Sequence, residues 1–417
     1  MEESKKTETK IKTNKIAMLT TNIAFSVLAL FVSVFLVAQV FSLTDYSFMA
    51  VALFVLLDCA ALFIFYFLAS YLCKKIRPIW ITRASVALAC AFLVTLIFWS
   101  DGLRNFYILF GFIWGAVGGL HWGAMNYLVT NTFEGEKTKN YMTWFFGLEI
   151  AASIIFPFTF GLLIDFGSFY LTSIIVLVIG AIQLISTFIF SSPKREKDSF
   201  KIREFFKTLK EKKRLKLTFA FWGVEALSGM LRAVSFGLVL LVVLVFGSNI
   251  SLGAFSSIAA VVGVVVLIIY KKLNKKIYWA LGIVPLLTLI PLFFNVGFTT
   301  LVIFQFGIIF RTVVTLEEST ARLNFPKKFG TEKYIAESHL FFESAFFVGR
   351  ALSCVIVIII ALIGVTELLV VIGMAIMLIF FALHGILLRA WHSKVSKNEK
   401  MQNNNKQGDI ILNDRIN

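Results

Sequence analysis

Long apolar runs, each closed by a few polar or glycine-containing residues, follow one another along almost the whole chain. A helix needs roughly 20 mainly apolar residues to cross the hydrocarbon core of a bilayer. On that measure the pattern predicts spans near 16–42, 46–72, 79–99, 105–132, 141–165 and 168–190, then near 217–246, 251–270, 277–295, 299–325, 334–363 and 366–390. Nothing shows the alternation of apolar and polar residues that marks a membrane barrel. The expected organisation is a polar N-terminal tail (1–15), a six-helix bundle (16–190), an amphipathic linker (191–216), a second six-helix bundle (217–392) and a disordered polar tail (393–417). Met1–Lys15 has no apolar stretch beside a small-residue cleavage site, so it does not read as a signal peptide. In the linker, Phe200, Ile202, Phe205, Phe206 and Leu209 fall mostly on one helical side among many lysines, which suggests a helix lying on anionic lipid.

Composition supports this map. Of 417 residues 59% are hydrophobic, 46 are Phe and 15% are charged, too few charges to cover a water-soluble protein of this size. Basic residues sit in alternate connections. Lys5, Lys6, Lys10, Lys12 and Lys15 precede the first span, Lys74, Lys75 and Arg77 follow the second, and eleven more lie between Lys194 and Lys216. Lys271, Lys272, Lys275 and Lys276 follow the eighth span, and Lys327, Lys328 and Lys333 the tenth, whereas Arg104 is the only basic residue of the opposite loops. By the positive-inside rule both termini are expected in the cytoplasm. The net charge of +16 is thus a topology signal. A nucleic-acid-binding face would be contiguous, so no nucleic-acid partner is expected.

The two halves share fragments. Phe110-Gly111-Phe112-Ile113-Trp114-Gly115 aligns with Phe306-Gly307-Ile308-Ile309-Phe310-Arg311, Lys74-Lys75-Ile76 recurs as Lys275-Lys276-Ile277, and Glu149 falls opposite Glu343. Their common order points to a duplicated six-helix unit. The run Phe156-Pro157-Phe158-Thr159-Phe160-Gly161-Leu162-Leu163-Ile164-Asp165-Phe166-Gly167 and the glycines 111, 115, 118, 119 and 123 resemble segments of the major facilitator superfamily. That family's signature between spans two and three is reduced here to Leu72-Cys73-Lys74-Lys75-Ile76-Arg77, without its Gly and Asp. The resemblance implies an all-α integral membrane protein with twelve transmembrane helices, in two six-helix bundles related by pseudo-two-fold symmetry and rocking about a midplane cavity.

Charges within hydrocarbon cost ~2.5–3.5 kcal/mol each on insertion scales and usually face a cavity or a partner. Asp58, Glu149, Glu225, Arg232, Arg311, Glu343 and Arg350 are accordingly candidates for a substrate or proton pathway. Glu225 and Arg232 are seven residues apart on one helix face; Glu343 and Arg350 repeat the spacing, with His339 four residues before Glu343. Arg311, Thr315, Glu318 and Arg322 form another stripe, in which Glu318 and Arg322 are candidates for gating ion pairs. The resemblance makes spans seven and eleven neighbours and so implies a charged network in the C-terminal half. Such a network either holds helices in register or binds an anionic group at arginine and a proton at carboxylate. His121, Trp122, Asn126 and His339 are candidates for lining the cavity, with Trp114 and Trp144 beside them; each is equally an ordinary packing residue.

Other chemistry finds no support in the spacing. Cys59, Cys73, Cys90 and Cys354 are scattered, His121, His339, His384 and His392 make no metal pattern, and no phosphate-binding glycine loop exists, so neither metal nor cofactor is expected. The expected function is ion-coupled, proton-driven secondary transport of a small organic molecule by alternating access. The alternatives are a lipid or glycolipid flippase of the same fold and, disfavoured, a receptor or intramembrane enzyme. Expected partners are a small-molecule substrate, protons and the lipid bilayer, with a monomer as the working unit. Lys-, Asn-, Ile- and Phe-heavy usage suggests the cytoplasmic membrane of a bacterium.

Overall fold

In the computed structural model the described residues are 2–133, 135–189, 199–272, 280, 282–364 and 366–413, and they form helices joined by short turns, with no strand among them. Among these residues eleven helices are long and apolar enough to cross a membrane. Spans one to six are Asn14–Leu43, Phe48–Cys73, Pro78–Phe98, Ser100–Thr132, Glu136–Phe166 and Phe169–Ile189. Spans seven, eight, ten, eleven and twelve are Leu215–Phe246, Asn249–Val266, Phe298–Lys328, Glu332–Ile363 and Glu367–Asn398. The ninth position is held by a shorter apolar helix, Val284–Phe293. The start of the ninth span expected at 277–295 lies outside the described residues, as do Lys275 and Lys276.

Local chemistry sets several helix starts. The Ser47 hydroxyl accepts the backbone N–H of Ala50 and caps span two, and Pro78 opens span three at a position whose N–H would be unpaired anyway. Pro157 interrupts span five, and the N–H of Phe158 next to it donates to the Ser257 hydroxyl of span eight at 3.1 Å. A backbone group loosened in hydrocarbon thereby finds a partner on a neighbouring helix.

Close helix contacts rest on glycine. A Cβ at Gly111, Gly115 or Gly119 of span four would run into the carbonyl oxygens of Phe54, Asp58 and Leu62 of span two. Lipid tails are as apolar as leucine, so helices in a membrane are held together chiefly by such close backbone packing. Between the halves, Gly161 of span five meets Asn249, and Gly253 of span eight meets Pro157. Span two likewise packs extensively against span eleven. Exchanging the halves turns the five–eight contact into the eleven–two contact, which is the pseudo-two-fold relation.

The two polar flanks differ from expectation. The linker helix, Ile202–Glu211, does not rest its apolar side on lipid. Phe205 and Leu209 are wholly buried in protein, and Phe206 packs against Phe219 of span seven and Phe341 of span eleven at 6.1 and 5.2 Å between ring centroids. The last helix runs on to Asn413, through much of the stretch expected to be disordered. Residues past the expected span end at 390 still pack, since Trp391 donates to the Leu217 carbonyl and Val395 is fully buried.

Replacing Gly115 by Leu is expected to force spans two and four apart and to destabilise the protein by about 1–3 kcal/mol or more. A thermal unfolding midpoint in detergent equal to that of the unaltered protein would contradict this packing.

Candidate functional site: a buried charge cluster in the C-terminal half

Spans seven and eleven touch where Gly229 meets the Phe346 carbonyl and Gly349 meets the Ala226 carbonyl. This approach brings Glu225 and Glu343 into one region, with span ten beside them. Glu225 is fully buried; one of its oxygens lies 3.5 Å from Arg322 Nη1. Glu318, also buried, lies near enough to act on it electrostatically. Glu318 Oε2 accepts the Ser228 hydroxyl at 2.9 Å and sits 3.2 Å from Nε2 of His384, a buried side chain of span twelve. Glu343 pairs with Arg350 one helix face along, at 2.7 Å. Both guanidiniums lie near the Phe346 ring, 4.8 Å and 5.1 Å from its centroid. A cation over an aromatic face is attracted by the ring quadrupole, most strongly away from water.

Three carboxylates here face two guanidiniums and one imidazole. A contact between two carboxyl groups requires a proton between them, because an ionised carboxylate only accepts. Oε1 of Glu225 and Oε1 of Glu318 have no hydrogen-bond partner among the described residues. Two buried carboxylate oxygens therefore stand without a partner beside Arg322 and His384.

The N-terminal half reaches the same region. Asn126 donates to the Tyr66 hydroxyl at 3.1 Å, and Tyr66 lies within electrostatic reach of both Arg322 and Glu343. A second polar pair spans the halves: Glu149 accepts the Ser26 hydroxyl at 3.2 Å, Arg311 donates to the Ser235 hydroxyl at 3.0 Å, and the two charges act on each other. Both Glu149 and Arg311 are partly exposed in mid-helix, so they border open space.

The remaining candidates are placed differently from one another. Asp58 is buried at the span two–span four contact and is engaged by neighbours rather than free. His121 is wholly enclosed, stacked on Phe25 at 3.8 Å and 3.1 Å from Asn22, whose amide donates to Tyr141. Trp122 packs edge-on to Phe25, Trp114 is buried against Phe25 and Phe92, and Trp144 is exposed. His339 joins the halves through a 2.8 Å hydrogen bond with Thr130. The side chain of Arg232 lies outside the described residues.

Toward the lysine-rich end, the halves are bolted together. Lys74 lies 3.8 Å from Glu337, both buried, and donates to the Lys333 carbonyl at 2.7 Å. Glu337 also accepts the backbone N–H of Lys201 in the linker, and Lys327 donates to the Phe133 carbonyl.

Comparison with known proteins agrees with this architecture. The family model of the Major Facilitator Superfamily matches residues 16–331. The chain belongs to the Major Facilitator Superfamily. Similar solved structures include a POT family transporter in complex with a thioalcohol-conjugated peptide, at 11% identity and TM-score 0.62, covering 92% of this chain and 96% of that one. A bacterial homologue of the iron transporter ferroportin in its outward-facing state is 14% identical at TM-score 0.63, with 92% and 99% covered. The human organic anion transporter MFSD10 (TETRAN) is 13% identical at TM-score 0.58, with 91% and 98% covered. No curated protein matches the chain in sequence.

This member of the superfamily is a multi-pass membrane transporter rather than an enzyme, and its charge cluster differs from the sequence expectation in its partners. Glu318 and Arg322, the candidates for gating ion pairs, sit in the cluster, with Arg322 paired to Glu225 and Glu318 to Ser228 and His384. Sequence reading passed over His384, Tyr66 and Ser228. His384 carried a signal all the same: an imidazole inside an otherwise apolar span needs a polar partner.

Leaving one member of a buried ion pair alone costs ~3–5 kcal/mol, whereas an apolar replacement of both is far milder. Glu225→Leu is therefore expected to destabilise the transporter more than the double variant Glu225→Leu/Arg322→Met. Thermal unfolding in detergent checks this, and a double variant less stable than the single one would contradict the pairing.

Proposed function

We propose that this transporter moves a small organic molecule across the cytoplasmic membrane of a bacterium in exchange for, or together with, protons, with the Glu225–Glu318–His384 group as the coupling site. The observation that carries this reading is the burial of Glu225 and Glu318 in the membrane interior, each with a carboxylate oxygen that has no hydrogen-bond partner among the described residues and that a proton would satisfy.

Loss of that proton leaves two adjacent carboxylates, and Arg322 can neutralise only one of them well. Repulsion of like charges in a low dielectric is strong. Arg322 is also within electrostatic reach of Glu343 and of Tyr66 in the opposite half. A change of partner at Arg322 therefore alters contacts between spans seven, ten and eleven and across the interface between the halves. The lysine-rich end faces the cytoplasm in this reading. Opening toward the cytoplasm requires breaking the Lys74–Glu337 pair, the Lys327–Phe133 bond and the Thr130–His339 bond together. Glu149 and Arg311, facing each other across the halves, supply the polar wall at which a substrate's own charged group exchanges for the protein's.

Proteoliposomes carrying an internal pH dye test the coupling. Challenge with a panel of organic anions, sugars and amphipathic cations is expected to give a compound-dependent pH change. Glu225→Gln and Glu318→Gln should each lower it at least about tenfold, as a positioned proton-transfer group contributes ~100-fold or more. Asp58→Asn and Glu149→Gln show whether the N-terminal carboxyls join the path. Substrate movement with no proton movement, in folded protein, would overturn the coupling.

A further inference from the structure

Away from the charge cluster, spans two, seven, eleven and twelve enclose a narrow apolar slot between the halves. Val51 and Val55 of span two face Leu240 of span seven, Val357 of span eleven, and Met374 and Met377 of span twelve. Its free volume is about 30 Å³. That is the space open to the centre of a water-sized sphere, and a water there needs two or more polar partners, which these walls do not offer. At the end of the bundle opposite the lysine-rich one, the slot adjoins a wider cavity of about 440 Å³, since Phe48 and Val370 line both. The wider cavity has a different rim. Tyr46 and Ser47 form one side and Glu367 the other, and among the described residues Glu367 is the one charged residue lining it. Glu367 is exposed and makes no ion pair among the described residues. Tyr46 is held at the rim by a tight turn in which Asp45 and Tyr46 both take positive φ, 55° and 60°, and the Tyr46 N–H donates to the Phe41 carbonyl. Non-glycine residues adopt that backbone rarely.

We infer that the two cavities together bind a cationic amphiphile, with an ammonium head between Glu367 and Tyr46 and a single alkyl chain in the slot. The chemistry of each part selects its half of the ligand. A dry, apolar slot rewards only apolar atoms. Methionines at 374 and 377 are unbranched and flexible, so the slot widens around a chain without a fixed shape. A carboxylate and an aromatic ring at the rim favour an ammonium and disfavour a sulfate, phosphate or carboxylate head. Both halves of the protein contribute walls, so an occupied slot biases how they rock. The inference rests on the transporter reading and names a substrate class for it, one that reaches the protein from the membrane leaflet at that end.

The test uses the full chain in lipid nanodiscs, at one pH and without a gradient, with radiolabelled dodecyltrimethylammonium as probe. Saturable binding above that of empty nanodiscs is expected. Unlabelled dodecyltrimethylammonium should displace it at least about tenfold better than tetramethylammonium does, because the chain carries most of the affinity. Dodecyl sulfate should displace it poorly. Gly237→Leu fills the slot, since even a Cβ there comes within 3.2 Å of Met374 Sδ, and is expected to weaken binding about tenfold. Glu367→Gln should weaken it several-fold. A photoreactive alkylammonium on the unaltered protein should label peptides of spans seven and twelve, a readout that needs no variant to fold. Binding that does not saturate, equal displacement by tetramethylammonium or dodecyl sulfate, or labelling confined to other spans would overturn the inference. Binding is read here without proton movement. Lost binding with intact coupling removes the ligand class alone, and intact binding without coupling removes the proton reading alone.

Discussion

A charge inside hydrocarbon must be neutralised by the protein itself, and the C-terminal half is organised around that constraint. Glu225, Glu318 and Glu343 are almost wholly buried, while Arg322 and Arg350 bring two positive charges, each also lying near the Phe346 ring. Among the described side chains two guanidiniums and one imidazole face three carboxylates, and the proposed coupling places a proton in that group. A structure that merely fixed helices in register would be served by matched pairs, which buried ion pairs supply at no gain over apolar packing. The mismatch is what makes the group suited to a working cycle.

Helix packing turns this local balance into a mechanical one. Glycines 229 and 349 let spans seven and eleven meet backbone to backbone, so a side chain on one cannot change partner without consequence for the other. Span eleven then continues into the interface with span two, and its first turn holds Glu337, which meets Lys74 of the other half and the backbone of the linker. One helix thus runs from the charge cluster to the contacts at the lysine-rich end. The linker takes part as well, because its buried Phe205 and Leu209 tie it to the same helix bundle.

Much of this was legible in the residues. Apolar run lengths gave the spans and alternating lysines gave the topology expectation, since both follow from bilayer thickness and charge alone. The repeated spacing of Glu225 and Arg232 and of Glu343 and Arg350 foreshadowed the spans seven–eleven network, and the 2.7 Å Glu343–Arg350 pair follows directly from it. Partner choice between helices was not legible, because it depends on rotation about each helix axis. The pairing of Arg322 with Glu225 therefore went unread, and His384, isolated in span twelve, was read only as outside any metal pattern. The linker was misjudged for a related reason: an amphipathic helix shows that one side is apolar, but not whether lipid or protein covers it.

The proton between Glu225 and Glu318 is the point on which the account turns, and infrared spectroscopy of the purified transporter in lipid observes it directly. At neutral pH a carbonyl band of a protonated, buried carboxyl group is predicted, and Glu225→Gln or Glu318→Gln should each abolish that same band, because the proton belongs to the pair. Absence of any such band, or a band that survives both substitutions, would contradict the shared proton and with it the coupling site.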